Sequence, residues 1–144
     1  MLRNESGFTL IESLFVLSIF LVVASVLVFT NKPHYVNTQK SIFFSELSGD
    51  LYFAQQYAIA HQEEVSVNFI PGDNYYYIRN REQIILKRDY PKGITVYEGT
   101  LKLRFQFQAD GSIAKFGSFF VDIASNTYRV TFLIGKGRFY IEEE

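Results

Sequence analysis

Ser6-Gly7-Phe8-Thr9-Leu10-Ile11-Glu12 brings together a small residue, the start of an apolar run and one carboxylate. Between Phe8 and Phe29, Glu12 is the only charged residue. An apolar run of about 20 residues is long enough to cross the hydrocarbon core of a bilayer as a helix. A carboxylate in such a helix costs about 2.5–3.5 kcal/mol at its centre and less near an end, so it calls for a partner. Cleavage of the peptide bond between Gly7 and Phe8 would supply one. It leaves the apolar run attached and creates an ammonium at Phe8, and that ammonium can pair with Glu12 of a neighbouring copy. A secretory signal is different, because its cleavage site follows the apolar stretch.

The remaining candidates offer less chemistry. His34 and His61 lie far apart in sequence, and the chain has no cysteine, so no metal-ligand spacing exists. Glu63-Glu64 reads as a solvated entry into a strand. No serine sits in a Gly-x-Ser-x-Gly elbow, and Gly135-Lys136-Gly137 is too short for a phosphate cradle and reads as a hairpin turn. The sequence therefore predicts no enzyme, no metal and no cofactor. One further constellation is Tyr75, Tyr77, Arg79 and Arg81, which share a face of an extended segment at a period of two. Aromatic rings and guanidinium groups can contact single-stranded DNA or another protein subunit. Asp73, Glu82 and Asp89 interrupt the patch and favour a subunit contact or a plain exposed face over DNA.

Gly7-Phe8-Thr9-Leu10-Ile11-Glu12-Ser13 resembles the processing site of type IV prepilins and pseudopilins. The resemblance implies a membrane prepilin peptidase that cuts after Gly7 and N-methylates Phe8, and it implies that Glu12 is needed for assembly. Arg3 is the only base in the leader and Glu5 offsets it, so charge gives little orientation signal. Two softer stretches narrow the resemblance. Gln55-Gln56-Tyr57-Ala58-Ile59 and the closing Gly135-Lys136-Gly137-Arg138 are similar to segments of the minor pseudopilins, and within them of the competence branch of Gram-positive bacteria. That branch implies a structural subunit of a DNA-uptake pseudopilus, located in the cell membrane as a single pass and then at the cell surface. Its partners would be the peptidase, the major and other minor pseudopilins, and lipid through residues 8–30, with DNA reached indirectly. The alternatives are a minor pseudopilin of a type II secretion system or type IV pilus, and a membrane-anchored module that binds DNA or a glycan.

The elements that position these residues follow from the pattern. Residues 1–7 form a leader, 8–30 a transmembrane and assembly helix, and 31–144 a soluble domain. Pro33 implies a kink or short break near Asn31–Pro33. A second helix at about 35–60 carries an apolar stripe of Phe43, Leu47, Leu51, Ala54 and Ala58, with Gly49 weakening it by about 1 kcal/mol relative to alanine. From about 64 to 142 the chain reads as short strands. Val65, Val67 and Phe69 alternate, Pro71-Gly72-Asp73-Asn74 marks a turn, and Leu101, Leu103, Phe105 and Phe107 alternate with polar residues. Close spacing implies antiparallel pairing, so the fold class is α+β, a helix stripe laid on an antiparallel sheet. The resemblance implies the same arrangement, a type IV pilin-like fold. The expected core joins Phe43, Leu47 and Leu51 to Leu103, Phe105 and Phe107.

A net charge of −1 gives no whole-domain attraction to nucleic acid. With no disulfide available, the soluble domain must rest on its core, and the 15 Phe and 10 Tyr supply large buried areas for it.

Overall fold

The structure is a computed structural model that describes residues 9–30 and 32–144, with side chains described for 9–26 and from 38 onward. The chain divides into two units, 1–38 and 39–144. In the first, α1 spans Leu10–Thr30. The second helix, α2, spans Lys32–His61 and so begins about three residues earlier than the sequence predicts. Pro33 falls in its first turn, where the missing N–H has no intrahelical partner to lose. Asn31, at the expected break, lies outside the described residues.

The second unit holds eight strands: β1 (Val65–Ile70), β2 (Tyr75–Arg79), β3 (Ile84–Asp89), β4 (Ile94–Glu98), β5 (Arg104–Phe107), β6 (Gly117–Ile123), β7 (Asn126–Phe132) and β8 (Phe139–Glu143). They form two four-stranded antiparallel sheets rather than the single expected one, in the orders β3-β2-β1-β5 and β4-β6-β7-β8. The exchange occurs between β4 and β5. Leu101 N donates to the Ser118 carbonyl at 2.9 Å, and Ser118 N donates to Thr100 Oγ1 at 2.9 Å, so residues 100–101 are still tied to the second sheet. By Leu103 the chain has reached the first sheet, where its carbonyl accepts from Phe69 N at 2.9 Å. The alternating run Leu101–Phe107 is therefore a crossing followed by a short strand. Leu101 is buried, but Leu103 is only half-buried and does not join the core as expected.

The turns obey local chemistry. Pro71–Asp73 forms a single 3-10 turn, closed by Asn74 at φ 54° and ψ 46°, a left-handed conformation that Asn tolerates better than most residues. Asn80 Oδ1 accepts from the backbone of Glu82 at 3.1 Å and Gln83 at 2.8 Å, which shapes the β2–β3 turn.

The helix stripe is buried as its spacing requires. Phe43, Leu47, Leu51, Ala54 and Ala58 are all at 4% exposure or less. Inward residues of both sheets meet beneath them, and ring pairs Phe69–Phe119 (5.3 Å) and Phe105–Phe132 (5.0 Å) join one sheet to the other. α2 touches both sheets, through the Tyr76 hydroxyl of β2 on Asp50 at 2.6 Å and Phe44 on Tyr128 of β7 at 5.1 Å, and Phe43 packs on Tyr90, just past the end of β3, at 5.7 Å.

Candidate functional site

Gly7 and Phe8 lie outside the described residues. Glu12 is in the first turn of α1, with its backbone N–H donating to the Thr9 carbonyl at 3.1 Å. An acid here complements the positive end of the helix dipole. Its side chain is exposed, as is every other described side chain of α1 except the half-exposed Ala24. The hydroxyls of Ser18 and Ser25 bond back to the carbonyls of Phe15 and Val22, each at 2.8 Å, an arrangement that satisfies polar groups without water. Among the described residues no helix is long and apolar enough to cross a membrane. The apolar run on which that expectation rests begins at Phe8 and ends at Phe29 in the sequence.

The Tyr/Arg constellation divides. Tyr75, Tyr77 and Arg79 point to one face of β2 and are half-buried, while Tyr76 and Ile78 point inward and are buried. Arg81 lies beyond the strand end, where it faces Glu64 at 3.8 Å. Arg79 is held by two carbonyls, its Nε donating to Asn80 O at 3.2 Å and its Nη2 to Arg81 O at 3.4 Å. Lys87, opposite Tyr77 on β3, places its ammonium 4.1 Å from the centre of the Tyr75 ring and 3.6 Å from Asp89.

On the other side β5 contributes a residue that linear spacing could not place there. Across the outward face the pairing aligns Lys87, Tyr77, Asn68 and Arg104 in one row. The next row runs Arg79, Ser66, Gln106. Ser66 and Arg104 are shared by two adjoining hollows of about 240 and 230 Å³. The first is completed by Glu64, Arg79, Asn80 and Arg81, and the second by Phe105, Gln106, Ala114 and Lys115.

His61 stacks on Tyr57 with ring centres 3.9 Å apart at the exposed end of α2. Of His34 only the helical backbone is described. Glu63 accepts from Asn80 Nδ2 at 3.0 Å, a structural use. No cluster of three or more metal-ligating side chains occurs among the described residues.

Two buried polar residues of α2 have roles that the sequence reading missed. Asp50 is 6% exposed on the helix stripe. It accepts from Arg88 Nε and Nη2, both at 2.9 Å, and from the Tyr76 hydroxyl at 2.6 Å. Burial and the Asp50 carboxylate together push the Tyr76 hydroxyl well above its ordinary value. Glu46 adds a second carboxylate 3.6 Å from Arg88. Gln55 Nε2 donates to Gly111 O at 2.8 Å and to Lys136 O at 2.6 Å, binding two loops to the helix. The available signal was spacing: Asp50 lies three residues after Leu47 and four before Ala54, inside the apolar stripe.

Residues 2–28 match the family described as the prokaryotic N-terminal methylation motif. The chain is 31% identical over 143 residues to the competence protein ComGD of Bacillus subtilis (strain 168), a span covering 99% of this chain and 97% of that one. Among solved structures it is similar to the type IV minor pilin FimU of Pseudomonas aeruginosa (strain PAO1). The TM-score is 0.60 at 14% identity, covering 78% of this chain and 92% of that one. A second crystal form of that pilin gives a TM-score of 0.56 at 16% identity, covering 68% and 88%. The likeness in structure establishes the expected pilin-like fold, with α2 packed on antiparallel sheets.

Proposed function

The chain belongs to the family of the competence protein ComGD and is a membrane-associated structural pseudopilin, not an enzyme, and from that premise we propose that it is a minor subunit of a short membrane-anchored filament serving DNA uptake. Residues 1–7 are a leader removed by a prepilin peptidase, which cuts after Gly7 and methylates Phe8. Residues 8–30 then hold the protein in the cell membrane as a single pass, in lipid before assembly and among helices of the major and other minor pseudopilins afterwards. Glu12 neutralises the methylated ammonium of Phe8 on an adjacent subunit, an attraction little screened in an apolar setting. Residues 31–144 are the soluble domain that the assembled filament displays at the cell surface, and DNA is reached through the filament as a whole. The observation that carries this reading is the identity to ComGD, because it runs from the processing segment through the closing strands.

The test combines mass spectrometry with transformation. Protein extracted from membranes of cells with an active prepilin peptidase is expected to begin at N-methylated Phe8, and Gly7→Val to retain Met1. Glu12→Val is expected to insert and fold normally, since it makes the helix more apolar, and to lose incorporation into the filament together with DNA uptake. An unprocessed Met1 terminus in the wild type, or undiminished transformation when the protein is deleted, would overturn the reading.

A further inference from the structure

Resting on the reading of this chain as an assembly subunit, we infer that the outward face of the β3-β2-β1-β5 sheet is a docking surface for an acidic segment of a neighbouring subunit, seated in the groove between Arg79/Arg81 and Arg104/Lys115.

The charge of the groove carries the inference. Four cations line the two adjoining hollows over Ser66, against the single carboxylate of Glu64. Arg104 and Lys115 have no carboxylate within ion-pair distance among the described residues. Arg81 and Glu64 are 77% and 48% exposed at a separation of 3.8 Å, a geometry of little energetic worth and easily exchanged. Arg79 is fixed by neutral carbonyls, which orient its guanidinium without cancelling its charge. A guanidinium held this way is pre-organised for a carboxylate.

The surroundings select a protein over a nucleic acid. Stacking platforms need open ring faces. The Tyr75 ring is covered by the Lys87 ammonium, and both outward tyrosines are half-buried. Glu64 and Asp89 stand on the same face as the cations, and a phosphate chain would leave them facing like charge. An acidic segment that also carries a base satisfies both signs. Half-buried tyrosine beside arginine is the composition of protein–protein hot spots.

The experiment uses the full chain in cells that carry the whole assembly. A photoreactive amino acid replaces Arg81 at the mouth of the groove, and a second strain carries it at Leu14 in α1 as a readout of assembly. The expected product at Arg81 is a cross-link to an acidic segment of another pilin-type subunit. Its yield should fall about tenfold or more in Arg104→Glu, and again in Lys115→Glu at an exposed position that cannot unfold the sheet. Reversing the captured acid to lysine should restore the yield in either variant. A nuclease-sensitive product at Arg81, or a product insensitive to both reversals, overturns the docking surface. Cross-links at Leu14 with none at Arg81 also overturn it while leaving the assembly reading intact. Cross-links at neither position overturn both.

Discussion

Asp50 is tolerated in the buried stripe of α2 because both of its oxygens are engaged by Arg88 and one also by Tyr76. An unpaired carboxylate at that depth would cost several kcal/mol. Asp50→Asn keeps the shape and removes the charge. One partner, Arg88, is 36% exposed and can recover hydration, so the loss is expected at about 2 kcal/mol rather than the 3–5 of a fully buried pair. Urea denaturation of residues 31–144 measures it, and a change below about 0.5 kcal/mol would mean that the pair is as weak as a surface ion pair. Gln55 links two distant stretches of sequence at the same scale. It belongs to the Gln55-Gln56-Tyr57-Ala58-Ile59 run and donates to Lys136 O within the Gly135-Lys136-Gly137 loop. Gly137 sits at φ +63°, and a Cβ there would come within 2.6 Å of Gln55 Nε2 and 2.7 Å of Gly111 O. One motif is the clamp and the other is what it holds. Spacing could mark Gln55 as a polar residue within the stripe but not name its partners, because Gly111 and Lys136 are brought to it only by the fold.

At the scale of elements, the stripe of α2 was legible because periodicity and burial have the same cause. Leu47 is fully buried, so Leu47→Asp would place a charge in the core with no cation set to meet it. A loss of about 4 kcal/mol or more follows, enough to abolish a cooperative melt of residues 31–144 followed by circular dichroism. A melt unchanged by the substitution would place Leu47 at the surface and break the stripe. The strands marked by alternation, at Val65–Phe69 and Leu101–Phe107, were also legible to within a few residues of β1 and β5. The division of the strands into two sheets was not. Sheet membership is decided by which partner each strand finds across the chain, and the crossing between β4 and β5 depends on Thr100 and Ser118, which are close in space and distant in sequence. The same limit applied to the candidate site. A period of two placed Tyr75, Tyr77 and Arg79 together correctly, but only the β1–β5 pairing brings Arg104 beside them.

For the whole molecule, the balance of charge governs what the soluble domain can bind alone. After His61 acids and bases are equal in number, so no long-range field draws a polyanion to the domain. The basic groove is local, holds Glu64 within it, and lacks an open aromatic face. Nucleic-acid binding that rests on phosphate neutralisation weakens steeply as salt releases condensed ions, with a slope near 0.9 per phosphate contacted on a duplex and 0.7 on a single strand. Residues 31–144 are therefore expected to bind single- or double-stranded DNA no more tightly than non-specific contacts do, with a Kd weaker than about 10⁻⁴ M at physiological salt. Even if Arg79, Arg81 and Arg104 all met phosphate, the logarithmic salt slope would stay near 3 or below. A titration at two salt concentrations measures both quantities. Micromolar affinity, with a steep slope abolished by Arg79→Ala and Arg81→Ala together, would make this domain a DNA receptor in its own right. Weak binding in that titration, combined with lost transformation in the same double variant, is the result expected of a surface whose partner is another subunit. DNA capture then belongs to the filament, where several subunits can combine charge that no single domain of this composition supplies.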